Sequence, residues 1–157
     1  MVIYSERVSI SDPQARFDEL ITALKERHFR LTPQRVDLVR LIAASQGHPS
    51  ALQLYAQMKD RFPTMSPATV YKTLALLKDI DQVLEIDLPD DRHYDGNRPG
   101  PHAHLICTQC SRIVDGDLEL KLDPSKVRRL EKASGYRIVR PQVTFYGLCP
   151  KCKRSSQ

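Results

Sequence analysis

Long apolar runs are missing from this sequence. Its uninterrupted apolar stretches last only a few residues, far below the roughly 20 that a membrane-spanning helix needs. The opening MVIYSERVSISDPQ has no basic cluster followed by an apolar core, so no secretory signal is expected and the cytoplasm is the expected compartment. No glycine-rich cofactor loop and no obvious Ser or Cys nucleophile arrangement occurs, which argues against an enzyme. Internal repeats, coiled-coil heptads and low-complexity tracts are also missing. Cysteine is absent from the first 106 residues; all four fall at or after Cys107.

What is present describes an ordinary folded chain. With 157 residues, 41% hydrophobic and 27% charged, it suits one large domain or two small ones. The net charge of +5 is uneven: residues 1–88 hold 11 basic and 11 acidic side chains, and residues 89–157 hold 13 and 8. A polyanionic partner for the first half must therefore rest on local arrangement rather than bulk charge.

The first half reads as four helices. Ser11-Asp12-Pro13 places a cap before a proline in the first turn. Phe17, Leu20, Ile21 and Leu24 follow at the spacing of one buried stripe. Thr32-Pro33 repeats the signal ahead of Val36, Val39, Leu41 and Ile42. Ser50 with Gln53 makes a capping box for a third helix carrying Leu54, Met58 and Phe62. Ser66-Pro67 starts a fourth, through Val70, Leu74 and Leu77 to about Lys78. Helices three and four with the RFPTM connection form a helix-turn-helix pattern, although a plain helical bundle fits the same signals. The outer side of helix four favours DNA. Ser66, Thr69, Tyr71, Lys72 and Lys78 lie there, with no acidic residue between Asp60 and Asp79, offering hydroxyls for phosphates and a reader for base edges.

Alternation at 83–88, a break at Pro89-Asp90-Asp91 and resumption at His93-Tyr94-Asp95 predict a β-hairpin, the wing of such a domain. The turn-rich Gly96–Pro101 stretch is the candidate hinge. Beyond it, strands are expected at His102–Cys107 and Ile113–Asp115. A helix from Asp123-Pro124 to Gly135 comes next, then a last strand over Tyr136–Leu148 and a mobile basic tail, KCKRSSQ.

The cysteines form two C-x-x-C pairs, Cys107/Cys110 and Cys149/Cys152. Two such chelating turns supply four thiolates for a tetrahedral zinc site; a redox pair and a four-sulfur iron site are the alternatives. His102 and His104 alternate just before the first pair, so both rings fall on one strand face. With Asp115, Asp95 and His48 they offer three nitrogens and two carboxylates, a set suited to Fe²⁺ or Mn²⁺. Each has a plainer reading: His48 as a surface residue, Asp95 and Asp115 as turn positions, and one of the histidines as a zinc ligand. Nothing in the spacing alone makes the five converge.

The runs TPQR, GHPSA, FPTMSPATVYKTL, RHYDG, PHAHLICTQCSRIVD and YGLCPKC occur in one order along nearly the whole chain after residue 14. Together they resemble the ferric uptake regulator superfamily, most of all its peroxide-responsive repressors. The resemblance implies an α+β protein, a dimeric metal-dependent repressor of palindromic operator DNA. It assigns a winged helix-turn-helix domain to 1–95 (with a flexible arm at 1–14), a hinge to 96–101 and an α/β dimerisation domain to 102–157. It also implies structural zinc on Cys107, Cys110, Cys149 and Cys152, and regulatory Fe²⁺ or Mn²⁺ on His48, Asp95, His102, His104 and Asp115. Tyr71 and Lys72 would sit on the recognition helix, with Ser66 and Thr69 beside them, and Arg30 would reach the minor groove. Aspartate at 95 and 115 matches the peroxide-responsive branch, in which His48 or His102 would be oxidised and peroxide would be the only small molecule acted on. An iron- or manganese-responsive uptake regulator without peroxide sensing is the alternative. His93, two residues before Asp95, departs from the family pattern and stands as a possible extra ligand.

Overall fold

Proline opens five of the described helices, because its missing N–H and fixed φ suit the first helical position. In the computed structural model, which describes residues 12–88, 91–97, 102–116 and 123–155, α1 (Pro13–Glu26), α2 (Pro33–Ala44), α3 (Ala51–Lys59) and α4 (Pro67–Asp79) come in succession. Asp12 and Thr32 cap the first two by accepting from the Ala15 and Arg35 N–H groups. The Ser50–Gln53 box is complete in both directions, at 2.9 and 3.2 Å. Ser66 precedes α4 but makes no side-chain capping bond.

These helices pack Leu20, Leu24, Leu38, Val39, Ile42, Leu54, Met58, Val70, Leu74 and Leu77 into one core, joined by Val83 and Tyr94 from the hairpin. Phe62, expected on the third helix, lies past its end yet packs against this core. The residue before a proline is steered away from helical backbone, and Pro63 follows it. The hairpin pairs β1 (Leu84–Asp87) with β2 (Arg92–Asp95), antiparallel, with Glu85 opposite Tyr94 and Leu84 opposite Asp95. Gly96 is buried, and a Cβ there would meet Ile42 Cγ2 at 2.1 Å. α1 begins at Pro13, so the last two positions of the expected arm are helical. Residues 1–11 of that arm, and 98–101 of the expected hinge, lie outside the described residues.

A second compact unit follows, its described part beginning at His102. It holds β3 (Ala103–Cys107), β4 (Ile113–Gly116), α5 (Pro124–Ser134), β5 (Val143–Gly147) and α6 (Pro150–Ser155). The sheet order is β4-β3-β5, with β3 antiparallel to β4 and parallel to β5. Register puts Val114, Leu105 and Phe145 in one row across it. They stay 40%, 43% and 48% exposed. α5 ends on Gly135 in the left-handed region (φ 75°) and buries none of its residues. Two expectations need correction here. The last strand covers only 143–147, since Tyr136 and Val139 stand exposed with no strand pairing. The expected mobile tail is instead α6 as far as Ser155, because Pro150 starts a helix inside the second C-x-x-C turn. Among the described residues no helix is long and apolar enough to cross a membrane.

Tyr94 gives the fold a pH signature. Burial, reinforced by Glu85, pushes its phenol from 10.0 up to about 12. Between those values the unfolded chain has released a proton that the folded chain keeps, so stability falls as pH rises. Tyr94→Phe is expected to flatten the decline between pH 10 and 12 by about 2–3 kcal/mol, measured by denaturant unfolding. Equal slopes in the two proteins would contradict this.

Candidate metal centres

The first C-x-x-C pair sits on the β3–β4 turn and the second runs into α6. Cys107 ends β3, where its N–H donates to the Arg112 carbonyl at 2.9 Å; Ser111, left-handed at φ 56°, donates back to the Cys107 carbonyl. The Thr108 N–H donates to Gly147, tying this turn to the end of β5. All four cysteines are unbridged, and their sulfurs lie within 4.8 Å of one another. Cys110 and Cys149 stand 3.8 Å apart. A tetrahedral zinc with Zn–S bonds of about 2.3 Å needs sulfur–sulfur edges of about 3.8 Å, so the donor set fits that ion. Backbone N–H groups supply local support: Cys149 donates to Cys107 Sγ at 3.3 Å, and Cys152 to Cys149 Sγ at 3.5 Å. Backbone donation from Cys149, then Cys110, lowers the Cys107 thiol to about 6. Donation by Cys152 to Cys149 and Cys110 holds its own thiol protonated up to about 12.

Register explains the nitrogen and oxygen donors of the same unit. His104 pairs with Asp115 across β3–β4, so both side chains share a sheet face, and His102 lies two residues before His104. The rings of His102 and His104 are 4.4 Å apart at their centroids. Asp115 Oδ1 lies 3.3 Å from His102 Nε2 and 3.9 Å from His104 Nε2. His104 is fully buried. Asp115 is a strand residue rather than a turn position, and neither histidine belongs to the four-sulfur group.

The N-terminal unit has its own pair. β2 lies against the segment that leads into α3: the Tyr94 N–H donates to the Pro49 carbonyl at 3.0 Å, and His93 bridges Ser50. This brings donor atoms of His48 and Asp95 within 4.8 Å of each other. Asp95 is buried, and its Oδ1 accepts from the Asn97 N–H at 3.0 Å. His93, the possible extra ligand, is not among the gathered donors.

Two supporting residues escaped the sequence reading. Asn97 Nδ2 donates to the Ser45 carbonyl at 3.3 Å. Arg16, 1% exposed, donates from Nε to the Gly96 carbonyl at 2.7 Å and from Nη2 to the Gln82 carbonyl at 2.6 Å. The signal was present: Arg16, Leu20 and Leu24 form one i, i+4, i+8 row, but an arginine reads as the outer end of such a stripe.

Ser66, just before α4, and Tyr71 and Lys72 on it are exposed, and Thr69 is half-buried; Arg30 is exposed on the loop before α2. Lys78 departs from expectation. Its ammonium pairs with Glu85 at 3.0 Å, so the hairpin neutralises the charge expected at that end of the helix.

Comparison with known proteins follows the same outline. The Ferric uptake regulator family model matches residues 26–146. The chain is 36% identical over 138 residues to the ferric uptake regulation protein of Synechococcus elongatus, covering 84% of this chain and 91% of that protein. It is 31% identical over 148 residues to the peroxide-responsive repressor PerR of Staphylococcus aureus, covering 93% and 97%. Among solved structures, the Helicobacter pylori ferric uptake regulator shares the fold at a TM-score of 0.68. Identity there is 18%, over 98% of this chain and 100% of that one. Sequence matches along most of its length show that this chain belongs to the ferric uptake regulator family, whose members are metal-responsive transcription regulators rather than enzymes.

Proposed function

We propose that the chain is a cytoplasmic, dimeric, metal-dependent repressor of palindromic operator DNA that senses hydrogen peroxide. Zinc on Cys107, Cys110, Cys149 and Cys152 would hold the C-terminal unit. Fe²⁺ or Mn²⁺ would take His48 and Asp95 from the N-terminal unit and His102, His104 and Asp115 from the C-terminal one. The observation that carries this reading is the separation of donors by softness. One group is all thiol, which suits zinc, and the others are all imidazole and carboxylate, which suit iron or manganese.

When bound, the regulatory ion supplies positive charge and, if ferrous, an electron for peroxide. His48 and Asp95 would tie one unit, and His102, His104 and Asp115 the other, to that ion, which would fix the angle between them. In a twofold dimer that angle sets the spacing of the two α4 helices, and operator half-sites require a separation of about one helical turn or a multiple. The coupling equals the ion's differential affinity for the DNA-competent arrangement. The exposed Val114–Leu105–Phe145 row and the unburied α5 support dimerisation, since an apolar face of this kind is what a second copy covers. Exposed Ser66, Tyr71, Lys72 and Arg30 support DNA contact.

His48→Ala is expected to abolish the rise in affinity that Mn²⁺ produces for a palindromic fragment selected by the wild type, while dimerisation stays intact. Gel-shift titration with sedimentation analysis checks both. Retained metal stimulation would contradict the two-unit ligand set.

Peroxide sensing rests on aspartate at 95 and 115, the pattern of the peroxide-responsive branch. In net terms, one oxygen of H₂O₂ is added to an imidazole carbon of His48 or His102, and the other leaves as water. The oxidised ring is a poorer ligand, and the angle between the units is released. The alternative is an iron- or manganese-responsive uptake regulator without this chemistry; the chain is similar both to a ferric uptake regulation protein and to a peroxide-responsive repressor. Peptide mass mapping separates the two. Low peroxide is expected to add one oxygen to the His48 or His102 peptide of iron-loaded protein and none to manganese-loaded protein. Unmodified peptides in both would favour the uptake regulator.

A further inference from the structure

His93 touches the backbone of a ligand residue. Its Nδ1 lies 2.5 Å from the carbonyl oxygen of His48. A carbonyl only accepts, so Nδ1 carries the proton and donates. Around this bond the main chain is already latched. Ser50 bridges His93, and the Tyr94 N–H reaches the Pro49 carbonyl. Asp95 follows on the same strand, and the residues after it are held in turn, Gly96 by Arg16 and Asn97 by the Ser45 carbonyl. Both N-terminal donors therefore stand on one stitched segment, and the His93 ring supplies its side-chain bond to residue 48 itself.

We propose that His93 is a positioning residue: by clamping the His48 carbonyl, it fixes where the His48 imidazole stands relative to Asp95. This rests on the reading that His48 and Asp95 hold the regulatory ion, and it replaces the role of extra ligand. The mechanism is preorganisation. A ligand whose backbone is already fixed loses less freedom when the ion binds, and the partners that orient ligands typically govern 10–100-fold in metal affinity.

Two variants separate clamping from ligation. His93→Asn keeps a donor on the atom bonded to Cγ and removes Nε2, whereas His93→Leu removes both functions at similar bulk. The full chain, loaded with zinc, is titrated with Mn²⁺ while free Mn²⁺ is followed by electron paramagnetic resonance. His93→Leu is expected to bind roughly 10-fold more weakly or worse, and His93→Asn to stay within about threefold of wild type. Before manganese is added, amide exchange at residues 48–50 is expected to be faster in His93→Leu than in His93→Asn. Equal weakening in both variants would make His93 a ligand and overturn the proposal. No weakening in either would also overturn it, by leaving the clamp without effect. A wild type that binds no second ion, or binding that His48→Ala leaves unchanged, would remove the regulatory site itself and this inference with it.

Discussion

Four thiols gathered within a few ångströms cannot all ionise unless a cation lies among them, and the C-terminal unit is organised around that constraint. Without one, the group splits. Cys107 is drawn down to about 6 by backbone donors, while Cys152 is left as the proton holder up to about 12. A dication removes the conflict by replacing shared protons with shared charge. Among the described residues little else in this unit does comparable work: the sheet has three short strands, and α5 buries nothing. Structural zinc contributes on the order of 10–16 kcal/mol in small domains, as much as the whole net stability of many. The four-sulfur group also links the β3–β4 turn to the start of α6.

The N-terminal unit is built differently. An apolar core across four helices and the hairpin holds it, and on that frame hydrogen bonds stitch the segment carrying His48 to β2, which carries Asp95. A stable unit carrying part of a ligand set suits regulation, because the ion then biases an arrangement of units rather than the folding of either one. Keeping soft thiols out of this set removes the donors that favour zinc most strongly. On the proposed reading, donor chemistry gives the two metals separate tasks.

Much of this was legible in the sequence because the signals are local. Caps at Asp12, Thr32 and Ser50, proline at the first helical position and the alternation around Tyr94 each fix an element within a few residues. The cysteine spacing and the His102/His104 alternation were legible for the same reason. What escaped depends on partners distant in the chain. Besides Glu19 nearby, Arg16 is held in its buried position by carbonyls 66 and 80 residues away that accept from it. Lys78 loses its outward charge to Glu85 on the hairpin. His93 looked like a ligand because histidine two residues from aspartate on a strand is a chelating pattern, and only its contact with the His48 carbonyl shows another use for the ring. The tail was misread because its lysines and serines hid a helix started by Pro150.

The central claim is that one regulatory ion draws on both units of a single chain. Anomalous diffraction at the manganese edge, from crystals of the zinc-loaded protein grown with Mn²⁺, addresses it directly. The account predicts one manganese peak per chain, ligated by His48, Asp95, His102, His104 and Asp115 and separate from the zinc among the cysteines. A peak ligated by residues of one unit alone, with the other unit's donors turned away, would contradict it.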